Sequence, residues 1–166
     1  VMLPDMLISN DNGNAGDSLK EMRLNFEKGE ISSVLLGKAK KADISKYGIA
    51  QIKKNSKLPG LGLIERIIEK PSIKKAPSNL YAAGRYIFNN DFFKYLSKVK
   101  PDKSNEIQLT DAIDQYIRDG KEVNAFLLEG DVFDCGDDTE YILANLEFAM
   151  KDPEMKVKIK KYLKTR

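Results

Sequence analysis

In the stretch IIEKPSIKKAPSNLYAAGRYIF, an apolar run ends on Glu69, Lys70 and Pro71, and a second apolar run carries Gly84 and Arg85 inside it. Neighbouring side chains on a strand point to opposite faces, so an adjacent acid and base do not normally serve one site. A proline directly after them ends the pairing and lets the chain turn, and at such a strand end both side chains could face one pocket. The competing reading is two solvated charges at a strand terminus, which the spacing alone favours. A glycine inside a strand, as at Gly84, marks close approach by a ligand or by another stretch of backbone. Arg85 beside it could bind an anion or pair with an acid.

Two carboxylates form a second candidate group. Asp5 follows Met-Leu-Pro at the end of an apolar run, and Asp134 lies at the end of another in VFDCG. Ligands of open α/β sheets gather at the carboxyl ends of strands. Two carboxylates meeting there could hold a magnesium ion, which needs hard oxygen ligands and takes only one or two from protein. Strand-end capping is the competing account of each. In NEIQLTDAI, Thr110 and Asp111 read as helix capping, and Gly48 after Tyr47 is either a close-approach glycine or part of a turn. Cys135 reads as a small core residue.

The chain holds no histidine and a single cysteine. That removes histidine bases, Ser-His-Asp and Cys-His nucleophile systems, imidazole metal sites and structural zinc. Chemistry here must run on carboxylates, lysine, arginine and backbone. One cysteine also excludes an internal disulfide and fits a reducing compartment. The net charge of +3 in 166 residues is too weak to argue for nucleic acid, and the basic tail KVKIKKYLKTR reads as a solvated helix face. No apolar run approaches the roughly 20 residues of a membrane helix.

The elements that must position these residues alternate irregularly. SLKEMRLNFEKG predicts a helix with a capping-box spacing at Ser18 and Glu21 and a stop at Gly29. ISSVLLGKA, YGIAQI, LIERIIEK and LYAAGRYIF predict strands, with KKADISK a polar connection and Pro59-Gly60 a turn. NDFFKYLSKV predicts a short helix, capped by Asn90 or Asp91. LTDAIDQYIRDG predicts a helix capped by Thr110 and ended by Gly120. EVNAFLLEG and DVFDCG predict short strands. DDTEYILANLEFAMK predicts an amphipathic helix with Tyr141, Ala144, Leu146 and Phe148 among its apolar positions. Asp152-Pro153 opens the last helix with a cap and a first-turn proline. The central strands are joined too closely for helical crossovers, so the expected fold is α/β with a mixed sheet. No dividing linker is visible in residues 1–166.

The ordered set LPD, KYGI, IIEKP, APSNLYAAGRYIF, NEIQLTDAI and FDCG resembles the bacterial UTP–glucose-1-phosphate uridylyltransferases, or UDP-glucose pyrophosphorylases. The likeness runs from Leu3 to about Leu163, and the EKP…APSNL…GRY and EIQLTDAI stretches carry most of its specificity. It implies the Rossmann-like sugar nucleotidyltransferase fold, here a carboxyl-terminal portion with terminal helices. It implies uridylyl transfer from UTP to glucose 1-phosphate, giving UDP-glucose and pyrophosphate, with Mg²⁺ as cofactor.

On that resemblance, Asp5 would hold Mg²⁺ beside the nucleotide phosphates and Asp134 would sit near the same ion. Glu69 would accept hydrogen bonds from sugar hydroxyls, and Lys70 would contact the sugar-side phosphate. Gly48 and Gly84 would let backbone approach the sugar, with Arg85 beside them. The family's glycine-rich G-x-G-T-R-x-L-P loop does not occur in this sequence, and Val1 reads as mid-strand. The expectation is therefore a carboxyl-terminal half that is inactive alone, from a cytoplasmic enzyme that forms a homo-oligomer and uses no nucleic acid or membrane. The alternatives are a thymidylyl-type transferase of the same fold, and a non-catalytic nucleotide-sugar-binding or assembly module.

Overall fold

The computed structural model describes residues 1–9, 16–53 and 60–165. In chain order the elements are β1 (Met6–Ser9), α1 (Asp17–Gly29), β2 (Ser32–Lys38), β3 (Ile49–Ile52), β4 (Gly62–Ile68), β5 (Leu80–Ile87), α2 (Phe93–Leu96), α3 (Leu109–Arg118), β6 (Val123–Leu127), β7 (Asp131–Asp134), α4 (Asp138–Lys151) and α5 (Pro153–Leu163). The mixed sheet expected from the short connections is present. Strands β2, β5, β3, β4 and β6 close into a barrel in that order. The β2–β6 pair is parallel and the other ladders are antiparallel.

The described residues form two compact units within the stretch read as one domain. The first holds Val1, Met2 and Gly16–Glu129; the second draws on Leu3–Ala15 and Gly130–Arg166. Because the second unit is assembled from both ends of the chain, no linker composition marks the division.

In the first unit, one buried cluster runs from Val34 and Leu36 of β2 through Ala50, Ile64, Ile67 and Ala82 to Ala112, Ile113 and Tyr116 of α3. Strand β2 is buried on both faces, which its run of apolar and small residues permits. Phe92 stacks on Phe88 with centroids 3.8 Å apart and meets the Tyr116 ring edge-on at 5.5 Å. The Tyr116 hydroxyl donates to Asp91, whose other oxygen takes the Lys121 ammonium at 2.6 Å. These partners hold the Asp91 carboxyl below its ordinary value and the Lys121 ammonium above its own.

In the second unit, β1 and β7 form an antiparallel ribbon with Met6 opposite Asp134, and α4 packs on β7 and on α5. Asp137 caps α4 by accepting from the Thr139 and Glu140 amides, and Asp152 caps α5 with Pro153 in its first turn.

Several local expectations change. Residue 16, not Ser18, stands at the N-cap of α1, because the helix begins one residue earlier, at Asp17. The left-handed C-cap is Glu30 (φ 52°), and Gly29 stays helical. KKADISK forms a 3-10 segment over Lys41–Lys46. Asn89 stands before the 3-10 turn that leads into α2, with no side-chain cap bond. Pro59 lies outside the described residues, while Gly60 carries the positive φ (79°) that the turn requires. On α4 only Ala144 is buried, whereas Tyr141, Leu146 and Phe148 are exposed. Among the described residues, no helix is long and apolar enough to cross a membrane.

Candidate functional site

The pairing of β3 with β4 puts Ile49 opposite Ile68. One step further Gly48 faces Glu69, and one step beyond that the Lys70 amide donates to the Tyr47 carbonyl at 3.0 Å. The ladder then stops, because Pro71 has no N–H to continue it. Lys70 sits in the left-handed region at φ 41°, a conformation costing a non-glycine residue about 1–2 kcal/mol. This turn breaks the alternation that would send Glu69 and Lys70 to opposite faces. Lys70 Nζ lies 3.9 Å from Glu69 Oε1, with the lysine half-exposed and the glutamate largely covered.

The other Glu69 oxygen has a partner from far along the chain. Thr110 Oγ1 donates to Glu69 Oε2 at 2.6 Å. Thr110 lies in the first turn of α3 and is buried. Helix α3 begins at Leu109 after Gln108, so Thr110 is not the cap that its position suggested. Burial raises the Glu69 carboxyl above its ordinary value, the Thr110 hydrogen bond and Lys70 charge oppose that rise, and Asp111 and Asp102 reinforce it. Asp111 is also raised, by burial first and then by Asp114 and Asp102.

Glycine is needed at position 48 for space. A Cβ there would collide with Thr110 Cγ2 and lie 3.0 Å from Glu69 Oε2. The Gly48 carbonyl accepts the Ala82 amide at 3.0 Å, tying the site to β5. Tyr47 packs on Tyr81 with ring centroids 4.7 Å apart. Tyr81 in turn occupies space that a Cβ on Gly37 would enter, 2.5 Å from its ring.

Two features fix where α3 starts. Asp102 Oδ1 accepts from the Ser104 amide, the Ser104 hydroxyl and the Glu106 amide, while Oδ2 accepts from Gln108 Nε2. These donors hold the Asp102 carboxyl far below the usual carboxylate range. One turn into α3, Asp114 Oδ1 accepts the Ile67 amide of β4 at 3.2 Å, and Asp114 Oδ2 meets Arg118 at 2.7 Å. Asp102 and Asp114 were not singled out from the sequence; their partners lie in loops and strands that spacing does not reveal.

Gly84 and Arg85 lie further along β5. Val34 pairs with Tyr86 and Leu36 with Ala82, so residues 83–85 face Leu35 alone in a bulge. Gly84 supplies its positive φ of 72° at no steric cost. Met2 bridges Arg85, and Val1 and Tyr86 exchange backbone hydrogen bonds at 2.8 and 3.0 Å. These contacts lie at the two residues that follow Gly84. Arg85 Nη1 donates to the Gly84 carbonyl at 3.3 Å.

The second unit holds the two aspartates. The Cys135 amide donates to the Asp5 carbonyl at 2.7 Å, which draws residue 5 alongside the end of β7. A Cβ on Gly136 would lie 3.2 Å from Asp134 Oδ1 and 3.8 Å from Asp5 Oδ2. Both carboxylates thus border the space that glycine leaves open. They are hard oxygen donors in the number that a magnesium-like cation takes from protein, with water completing its shell, so the donor set fits such an ion. Among the described residues, no cluster of three or more acidic, cysteine or histidine ligands occurs. An open depression of about 440 Å³ around Asp91, Tyr116 and Lys121 carries none of the candidate residues.

A UTP–glucose-1-phosphate uridylyltransferase of Haemophilus ducreyi is 33% identical over 166 residues, covering 99% of this chain and 56% of that protein. A solved UDP-glucose pyrophosphorylase complexed with UDP-glucose superposes with a TM-score of 0.79 at 36% identity, covering 92% of this chain and 56% of that one. The UTP-bound UGPase from Acinetobacter baumannii also gives 0.79, at 27% identity over 98% of this chain and 54% of that one. The chain spans about half the length of the curated relatives it matches. The nucleotidyl transferase family profile matches residues 3–151, and on that match the chain belongs to the nucleotidyl transferase family.

Proposed function

We propose that the polypeptide carrying this chain transfers uridylyl from UTP to glucose 1-phosphate, giving UDP-glucose and pyrophosphate. The observation that carries the reading is the strand end where Glu69 and Lys70 are turned together opposite Gly48. A carboxylate there accepts sugar hydroxyls while the ammonium beside it attracts the sugar's phosphate. The relatives named for this reaction support the choice of substrates.

The chemistry suits a chain without histidine. The attacking oxygen belongs to the phosphate of glucose 1-phosphate, already anionic near neutral pH because its second pKa is about 6. No general base is required. What is required is charge neutralisation and in-line placement of two anions that repel each other. Lys70 supplies positive charge on the sugar-phosphate side. Asp5 and Asp134 would hold Mg²⁺, which when bound neutralises nucleotide phosphates. Gly48 and Gly84 would let backbone approach the sugar, with Arg85 next to Gly84 in the chain. A cytoplasmic homo-oligomer belongs to the same reading.

The test is pyrophosphate release by that polypeptide with glucose 1-phosphate and Mg²⁺, comparing UTP with dTTP. The proposal expects release with UTP and little with dTTP. Release mainly with dTTP would keep the reaction type and replace the nucleotide; no release with either would remove it.

A further inference from the structure

We propose that Thr110 is a positioning residue, whose hydroxyl fixes Glu69 Oε2 and so leaves Oε1 as the acceptor for a sugar hydroxyl. The substrate half of this inference rests on the reading above; the hydrogen bond itself does not.

Three observations converge on Thr110. Its hydroxyl is 2.6 Å from Oε2, as short as a charge-assisted O–H···O⁻ bond. A Cβ on Gly48 would come within 2.4 Å of its methyl, so the missing side chain at 48 makes room for threonine as well as for glutamate. Its helix is held on both sides of position 110, by the Asp102 loop before it and by Asp114 on the Ile67 amide after it. A hydroxyl anchored this firmly, 41 residues from its partner in sequence, restricts the rotation of a glutamate that a strand end would otherwise leave free. Side chains that orient a binding group through buried hydrogen bonds strongly affect how well that group is preorganised.

The carboxylate needs this help electrostatically too. Among the described residues, the Lys70 charge favours the ionised Glu69 while the Asp111 and Asp102 charges oppose it. A hydroxyl donor favours the ionised, accepting form of a carboxylate that burial disfavours. Without it Glu69 would protonate more readily, and a protonated carboxyl presents a donor where the sugar requires an acceptor.

The experiment compares wild type, Thr110→Val and Thr110→Ser in the polypeptide carrying this chain. Valine keeps the shape and loses the hydroxyl; serine keeps the hydroxyl and loses the methyl. Thr110→Val is expected to raise KM for glucose 1-phosphate about tenfold or more, the scale of one hydrogen bond to a charged group. The KM for the nucleotide should stay within about twofold, and the acid limb of kcat/KM should move to higher pH. Thr110→Ser should stay near wild type. Equal losses in both variants, or no loss in Thr110→Val, would overturn the proposal. If Thr110→Val does not fold, Thr110→Ala takes its place.

If wild type shows no reaction with glucose 1-phosphate, the functional reading fails and a second readout decides the hydrogen bond alone. The Glu69 carboxyl carbon is titrated by NMR in the same proteins. An upward shift of the midpoint in Thr110→Val, with none in Thr110→Ser, supports the positioning role. An unshifted midpoint in Thr110→Val contradicts it.

Discussion

Gly48 and Glu69 face each other across the ends of β3 and β4, so closely that a Cβ on residue 48 would lie 3.0 Å from Glu69 Oε2. The same Cβ would collide with the Thr110 methyl group. The neighbours are packed from two directions, so neither can move aside freely. Gly48→Ala is therefore expected to destabilise the fold by about 1–3 kcal/mol, the usual cost of overpacking. It should also weaken glucose 1-phosphate binding, because Glu69 must shift. Urea unfolding and the KM for the sugar phosphate check both; a variant unchanged in both would show that the space is looser than the geometry indicates.

Glu69 also predicts a pH dependence. Burial raises its pKa in the folded protein above the ordinary value of 4.5. Below that ordinary value, the group is protonated in both folded and unfolded states and has no effect. As pH rises from there through the folded pKa, the unfolded chain gives up its proton first, so stability falls. Above the folded pKa the cost is constant. Glu69→Gln removes the titration, so its stability relative to wild type should be greater at pH 7 than at pH 4. Thermal unfolding at the two values checks this, and a larger relative stability at pH 4 would reverse the sign.

In the second unit, Asp134→Asn should weaken divalent cation binding. Asp5 and Asp134 carboxylate oxygens border the open space at Gly136, so the substitution removes one of two anionic donors placed there among the described residues. The Mg²⁺ concentration for half-maximal activity is expected to rise by at least ~10-fold. Gly136→Ala should have a smaller effect in the same direction, by filling part of the space. Mn²⁺ binding followed by paramagnetic relaxation checks both variants, and wild-type affinity in Asp134→Asn would place the metal elsewhere.

Local patterns in the sequence were enough to find most of the elements, because alternating or continuous apolar runs and Asp-Pro capping need no distant partner. The same patterns misled at Thr110. A threonine near the start of an apolar helix reads as a cap, yet its hydroxyl bonds a glutamate on another strand. Ser18 and Glu21 matched a capping box, but the helix starts one residue ahead of Ser18. Lys70 shows a different limit. Strand alternation argued against Glu69 and Lys70 sharing a site, and only the left-handed backbone at Lys70 removes that objection. The second unit joins residues from both ends of the chain, so no single stretch of sequence marks it. The apolar positions of α4 describe an amphipathic pattern, but the pattern does not say which face is covered, and Tyr141 and Phe148 are exposed.

The most direct test of the account is the turnover of Lys70→Ala in the polypeptide carrying this chain. Alanine at this position bears the same left-handed backbone cost as lysine, so the variant isolates the ammonium. The account predicts that turnover with UTP and glucose 1-phosphate falls by at least ~10²-fold, the scale of losing one preorganised electrostatic contact, while the melting temperature stays near wild type. Turnover close to wild type would contradict the placement of the sugar phosphate at the Glu69–Lys70 strand end.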